Sequence, residues 1–303
     1  MQKIKNYLQL VKFSHSIFAM PFAVIGFFVG LKSFDPIHFK NNVSFFEKTT
    51  AYFKTNYYIF ILVILCMVFA RNAAMAFNRW LDKNFDAKNP RTAVREIPTG
   101  IIPSKNALVF TIVNCLLFIT CCWLINTLCF YLSFVALFVI LFYSYTKRFT
   151  ALCHLVLGVG LSLAPIGAYL AVTSEFNFLP ILFSVAVLCW VSGFDIIYAL
   201  QDVEFDQSQQ LHSIPAALGK KNALWLSKIL HTLAAFCILY AGQYGNFGYW
   251  YWIAAAVFVA LLIYQHTLVK VNDLSKVNMA FFTTNGVASI IFCIFVLLDL
   301  FWR

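Results

Sequence analysis

Long apolar runs separated by short polar breaks dominate the chain. Nine of them reach the ~20 mainly apolar residues that a membrane-spanning helix needs. They lie at roughly 13–31, 57–77, 107–125, 127–145, 152–172, 179–199, 229–245, 249–269 and 279–301. Very short turns around Asn126 and Gly245 separate two pairs of runs, while Pro21 and Pro165 fall inside runs, which membrane bundles tolerate. Two connections, about Asn78–Asn106 and Asp202–Lys228, are longer and more polar than the others. Both are read as beginning with extensions of the preceding helices. The expected fold is all-α: a polytopic membrane protein, a bundle of nine transmembrane helices with a central cavity open toward the cytoplasmic face. Residues 1–303 form a single domain in this reading. A weak echo, in which 57–77 and 179–199 each lead into an acidic helix end, suggests internal duplication.

Composition agrees with the pattern. Hydrophobic residues make up 62% of the chain and charged residues 11%, with a mean hydropathy of +0.80. Soluble domains average nearer ~45–50% apolar and ~25% charged, so a water-soluble enzyme, a secreted protein and a disordered chain are all excluded. The net charge of +10 raises nucleic acid as a partner. No basic stripe with interleaved aromatics stands outside the apolar runs, so no nucleic-acid partner is expected. With a cytoplasmic N-terminus, sixteen of the 22 lysines and arginines fall on the inside, five on the outside, and Arg71 within a span. That bias predicts the orientation, and the chain is placed in the bacterial inner (cytoplasmic) membrane among membrane lipids. The first run is read as a retained helix and not a cleaved leader. The nine cysteines lie in or beside apolar runs and are read as small buried hydrophobes.

Seven of the twelve acidic residues fall in two short windows, 82–96 and 195–206. Acids at a membrane edge are costly and mark function. In the first window Asn78, Asp82 and Asp86 step by four, which puts them on one helical face. Pro90 ends that helix a residue or so earlier, and Arg91, Thr92 and Arg95 follow. In the second window Tyr198, Asp202 and Asp206 step by four, with Asp195 two turns before Asp202. Glu204 falls off that face. Two acidic helix ends supply oxygen ligands for a hard cation such as Mg²⁺, which prefers carboxylates, waters and phosphate oxygens. Arg91, Arg95, Lys147 and Arg148 would balance a diphosphate. The combination points to a lipid diphosphate, its head at the cytoplasmic rim and its tail in the bundle.

These residues resemble a known family. The spacing Asn78-x₃-Asp82-x₃-Asp86 followed by Arg91-Thr92-x₂-Arg95 resembles the first aspartate-rich motif of the UbiA-type intramembrane prenyltransferases. Asp195-x₂-Tyr198-x₃-Asp202-x₃-Asp206 is similar to their second, and Tyr143–Thr150 to the segment after their fourth helix. The resemblance covers essentially the whole chain. It implies a fold of nine transmembrane helices and a Mg²⁺-dependent transfer from an allylic polyprenyl diphosphate to an aromatic acid acceptor such as 4-hydroxybenzoate, in quinone biosynthesis. It also implies Asp82, Asp86, Asp202 and Asp206 as metal ligands, Asn78, Arg91, Lys147 and Arg148 as donor contacts, and Asp195 and Tyr198 near the reacting ends. Arg95 would meet either diphosphate or an acceptor carboxylate.

Two departures stand out. Arg79 replaces an Asp that many members carry after the Asn, and is read as a phosphate contact or as turned away. The segment Lys12–Phe22 departs from the ubiquinone-type pattern, which has an Arg-Pro step there, and resembles a branch associated with a dihydroxynaphthoate acceptor and menaquinone synthesis. Asp195 is the first choice for deprotonating or orienting the acceptor phenol and Tyr198 the second, with Asp82 and Asp202 also placed at the catalytic centre. His15 and His154 are further candidate substrate contacts, and His212 a candidate for closing the site. Asn285 and the small groups Gly158–Gly160 and Ala164–Gly167 are read as packing. The competing readings are a haem O synthase-like or lipid prenyltransferase and, from a different class, a cation-coupled membrane transporter.

Overall fold

The computed structural model describes residues 2–12, 18–33 and 44–302. Apolar runs in lipid must satisfy every backbone donor within the segment, so they fold as helices. In order these are α1 (Gln2–Leu10), α2 (Met20–Ser33), α3 (Phe45–Leu81), α4 (Lys83–Lys88), α5 (Ser104–Ile125), α6 (Thr127–Thr146), α7 (Cys153–Thr173), α8 (Phe178–Ala199), α9 (Val203–Ser208), α10 (Ile214–Tyr244), α11 (Tyr249–Leu268) and α12 (Asn285–Phe301). A 3-10 turn, Leu200–Asp202, joins α8 to α9, and a π-helical turn, Met279–Thr284, leads into α12. Among the described residues, eight helices are long and apolar enough to cross a membrane, and α2 is a shorter apolar helix. The expected first span, 13–31, is thus helical from Met20. Its first residues, with His15 among them, lie outside the described residues, so the count of nine stands at eight plus this helix.

Two spans start well before their apolar runs. The α3 helix begins at Phe45 because Ser44 and Glu47 form a capping box, Ser44 Oγ accepting from Glu47 N (3.3 Å) and Glu47 Oε2 from Ser44 N (3.0 Å). The helix kinks at Asn56, close to where the apolar run begins. The α10 helix begins at Ile214 behind a Ser213 cap, and its first turns end at Gly219, whose φ of 78° suits glycine. Lys220 and Lys221 then dilute the apolar signal before the run proper.

The core sits between α8 and its neighbours α2, α7, α10, α11 and α12, around the fully buried Phe22, Phe183, Trp190, Phe194 and Phe292. Small residues let these helices approach. A Cβ on Gly26 would lie 2.1 Å from Pro165 O, so α2 and α7 meet backbone to backbone. Gly158 packs in the same way against Ser192 and Leu188 of α8. Gly167, expected to serve packing, instead has open space where a Cβ would be and lines a cavity. Asn285 is hydrogen-bonded as expected for a polar group away from water, accepting from Trp190 Nε1 (2.8 Å) and donating to Phe281 O (2.8 Å). The cysteines are free thiols.

Candidate functional site

Both acidic windows lie at the same end of the bundle and line one polar cavity of about 290 Å³. In the first, Asp82 occupies the junction of α3 and α4. The i→i+4 backbone bonds run through it unbroken, from Asp82 N to Asn78 O (2.9 Å) and from Asp86 N to Asp82 O (2.8 Å). The expected face is therefore kept, and Asn78, Asp82 and Asp86 all line the cavity. The α4 helix stops at Lys88, since Asn89 must be extended before Pro90. The following loop turns Arg91 and Arg95 back over the carboxylates.

Each motif carboxylate meets a cation. Arg95 Nη1 donates to Asp86 Oδ1 (2.6 Å), and Arg148 Nη2 to Asp82 Oδ1 (2.8 Å), where Asn78 Nδ2 also donates to Oδ2 (3.1 Å). Arg91 grips Asp202 with two donors, Nε to Oδ1 (3.1 Å) and Nη2 to Oδ2 (2.5 Å), while its Nη1 donates to Tyr198 Oη (2.9 Å). Asn89 adds a bond to Asp202 Oδ1 (3.3 Å), so the loop after the first motif is tied directly to the second. Arg79 is buried with Nη1 3.8 Å from Asp86 Oδ2, and it lines the cavity; it does not turn away. Lys147 and Arg148 straddle the two motifs, Lys147 Nζ lying 2.7 Å from Asp206 Oδ1 and Arg148 on Asp82.

Asp206 is placed differently from expectation. The 3-10 turn winds the chain with about 3.0 residues per turn instead of 3.6, so α9 is rotated relative to α8. Asp195, Tyr198 and Asp202 line the cavity, whereas Asp206 is wholly buried beside Lys147 and is not part of the lining. Lys147 is the ion partner of Asp206, and neither Asp206 oxygen has a further hydrogen-bond donor among the described residues. Burial pulls the Lys147 ammonium down, but Asp206 and then Asp202 outweigh it and hold the group above its ordinary value. Burial likewise raises Asp82, with the Arg148 charge opposing.

His154, at the start of α7, reaches the cavity, with Nδ1 2.7 Å from Asp195 Oδ2. His212 is exposed and joins the site through its backbone, its N–H bonding Lys147 O (2.7 Å). Two lining cations escaped the motif reading. Lys12, in the turn after α1, is held down to about 8 by burial and by the charges of Arg79, Arg95 and Arg91. Arg71, on α3 two turns before Asn78, forms no ion pair among the described residues, and its Nε is buried without a partner. Its signal was in the sequence: an arginine inside a span is costly and marks function.

Seven cationic side chains (Lys12, Arg71, Arg79, Arg91, Arg95, Lys147, Arg148) thus face four carboxylates (Asp82, Asp86, Asp195, Asp202) in one cavity. One wall is aromatic, with Phe281 4.2 Å from Tyr198 and 5.4 Å from Phe194 between ring centres. A second chamber of about 320 Å³ adjoins it, sharing Arg71, Met75, Tyr143, Leu157 and Leu161, and is lined mainly by apolar residues of α3, α5, α6 and α7 as far as Phe176, with Met20 of α2. The donor set suits a hard divalent cation. Asp82, Asp86 and Asp202 offer carboxylate oxygens to the cavity, and Asp86 Oδ2 is buried with no hydrogen-bond donor. The described residues hold no cluster of three or more His, Cys, Asp or Glu arranged around one point. Mg²⁺ takes one or two carboxylates and completes its shell with substrate oxygens and water.

Comparison with known proteins agrees with this geometry. Residues 49–287 match the model of the UbiA prenyltransferase family. The chain is 30% identical over 243 residues to a 4-hydroxybenzoate octaprenyltransferase of Aliivibrio fischeri (strain MJ11), covering 78% of this chain and 82% of that one. Among solved structures it superposes on the apo form of a UbiA homologue from Aeropyrum pernix K1 with a TM-score of 0.79 and 28% identity, over 94% of this chain and 98% of that one. It also superposes on a UbiA homologue from Archaeoglobus fulgidus bound to DMAPP and Mg²⁺, with a TM-score of 0.74 and 17% identity, over 97% and 99% of the two chains. An all-helical membrane bundle with two paired aspartate motifs around one cavity, matched over most of its length, belongs to the UbiA prenyltransferase family.

Proposed function

We propose that the chain transfers a polyprenyl group from an allylic diphosphate to a ring carbon of a hydroxylated aromatic acid of the 4-hydroxybenzoate type, with release of diphosphate. One observation carries this reading: a cavity with an excess of cations adjoins an apolar chamber, and Arg71, which has no ion-pair partner among the described residues, lines both. The diphosphate occupies the polar cavity and the tail the apolar chamber, so the allylic carbon comes to lie at the neck. An anionic acceptor then has one unpaired guanidinium to meet there. Arg71 takes the acceptor carboxylate in a water-poor setting where a charged bond is strong.

Asp82, Asp86 and Asp202 carry the oxygens that would hold Mg²⁺ together with the diphosphate, and the ion would supply charge neutralisation for the leaving group. Asp206 holds Lys147 in place. Arg91, Arg95, Lys147 and Arg148 contact the diphosphate, with Lys12 and Arg79 behind them and Asn78 steadying Asp82. Cations aimed at the leaving group stabilise the charge that develops on it. The aromatic wall of Phe194, Tyr198 and Phe281 faces the developing allylic cation. Closure by apolar side chains keeps water from it. The polar end is placed in the cytoplasm, where the N-terminus also lies, in a bacterial cytoplasmic membrane. A dihydroxynaphthoate acceptor is the second reading, favoured by the departure of the segment Lys12–Phe22 from the ubiquinone-type pattern; Met20 of that segment lines the apolar chamber.

The test is product mass. Membranes containing the protein are incubated with Mg²⁺, a polyprenyl diphosphate, and 4-hydroxybenzoate or dihydroxynaphthoate in parallel. A prenylated aromatic acid is expected, and its mass identifies the acceptor. No product with any aromatic acid would refute the reading.

A further inference from the structure

We propose that His154 is the general base that takes the acceptor's phenolic proton, and that Asp195 is its positioning residue and not itself the base. The inference rests on the aromatic-transfer reading above and names the group that completes it.

His154 Nδ1 lies 2.7 Å from Asp195 Oδ2. An ionised carboxylate only accepts hydrogen bonds, so Nδ1 carries the proton and Nε2 presents its lone pair. His154 is 4% exposed, its ring lines the polar cavity, and Nε2 is buried with no hydrogen-bond partner among the described residues. A buried polar atom without a partner is unfavourable, and here it sits in the wall of a substrate cavity. An O–H group bound in that cavity would satisfy it. Besides the seven cations and four carboxylates named above, the titratable groups lining the cavity with His154 are Cys153 on α7, Tyr143 on α6 and Tyr198 on α8. Asp195 is the carboxylate that holds the ring.

The pair is rigidly mounted. Ser192 Oγ bonds both His154 O (3.1 Å) and Leu188 O (2.7 Å). Gly158, one turn after His154, lets α7 and α8 touch at that level. Imidazole is also the better-matched base: its ordinary pKa of ~6.5 lies nearer that of a phenol, ~10, than does the ~3.9 of an aspartate.

The step balances as follows. The phenolic O–H bond breaks and its proton passes to Nε2. The ring carbon forms a bond to the allylic carbon while the C–O bond to diphosphate breaks, its electron pair leaving with the diphosphate. The ring C–H proton at the new bond then passes to a diphosphate oxygen, and His154 returns its proton to the ring oxygen.

The test uses full-length protein with Mg²⁺, a polyprenyl diphosphate and an aromatic acid that wild type accepts. His154→Gln keeps an N–H for Asp195 and removes the base. The expected result is a fall in kcat of about 10²- to 10⁴-fold with the Kd for prenyl diphosphate unchanged. Acceptors made more acidic by an electron-withdrawing substituent, already ionised at the assay pH, should recover at least about a tenfold part of the loss. A purely structural defect would not respond to acceptor acidity. Asp195→Asn should move the acidic limb of the kcat–pH profile to lower pH, a readout independent of how well His154→Gln folds. A kcat for His154→Gln within about threefold of wild type overturns the inference, as does a loss that acidic acceptors do not relieve. In either case wild-type product keeps the aromatic-transfer reading intact, whereas absence of product in wild type removes both.

Discussion

Asp202→Ala is expected to reduce kcat/KM by about 10³-fold or more while leaving the protein folded and membrane-inserted. Asp202 is where the two motifs meet: it accepts two bonds from Arg91 and one from Asn89, and it offers its oxygens to the cavity. Truncation removes an oxygen donor from the proposed metal and diphosphate site. It also removes the Arg91 and Asn89 bonds to the 3-10 turn, so the loop after α4 keeps the Arg91–Tyr198 bond to α8 but loses its ties to the second motif carboxylate. Asp202→Asn, which keeps the shape but not the charge, should retain part of the Kd for the donor and little of the turnover. The comparison is made by product formation on detergent-purified protein, with elution as a single monodisperse species as the control. Wild-type turnover in Asp202→Ala would refute the shared-site assignment. Asp82→Ala should behave alike, because Asp82 holds Asn78 and Arg148 in the same arrangement.

Arg71→Met should act on the other substrate. Its guanidinium has no carboxylate partner among the described residues and stands between the polar and apolar chambers. Removing one partner of a desolvated charge pair costs about 2–5 kcal/mol, so the KM for a carboxylated acceptor should rise by roughly 30-fold or more. The donor Kd should hardly move. An acceptor phenol without a carboxylate should be used equally poorly by both proteins, so the discrimination between the two acceptors collapses in the variant. Stability should be unchanged or improved, because the variant loses a half-buried cation that has no ion-pair partner among the described residues. An unchanged KM for the carboxylated acceptor would show that Arg71 binds something else.

How far the sequence reached depended on the kind of signal. Hydrophobic run length located the spans, because lipid leaves the chain no alternative to helices. Their ends were less legible where polar residues are still helical, as in residues 45–56 and 214–228, and the capping box at Ser44 was the local cue to the first of these. The i, i+4 spacing placed Asn78, Asp82 and Asp86 correctly, since the α-helical bonds continue through the Asp82 junction. The same reasoning misplaced Asp206, because a single 3-10 turn, invisible in the spacing, rotates α9. The His154–Asp195 pair joins residues 41 apart on different helices, and no pattern along one chain encodes such a contact. Arg71 was visible as a costly residue in a span, but only the three-dimensional arrangement shows that it stands between two chambers.

The central claim is that one substrate spans both cavities, its diphosphate among the cations and its tail in the chamber of α3, α5, α6 and α7. The most direct measurement is photo-crosslinking with a prenyl diphosphate analogue that carries a photoreactive group at the far end of the tail, bound with Mg²⁺ and mapped by mass spectrometry. The account predicts adducts on residues that line the apolar chamber, such as Phe118, Cys129, Leu132 and Phe176, lost when excess inorganic diphosphate competes for the polar cavity. Adducts confined to the far side of the bundle, on α10 and α11, and indifferent to diphosphate would contradict it.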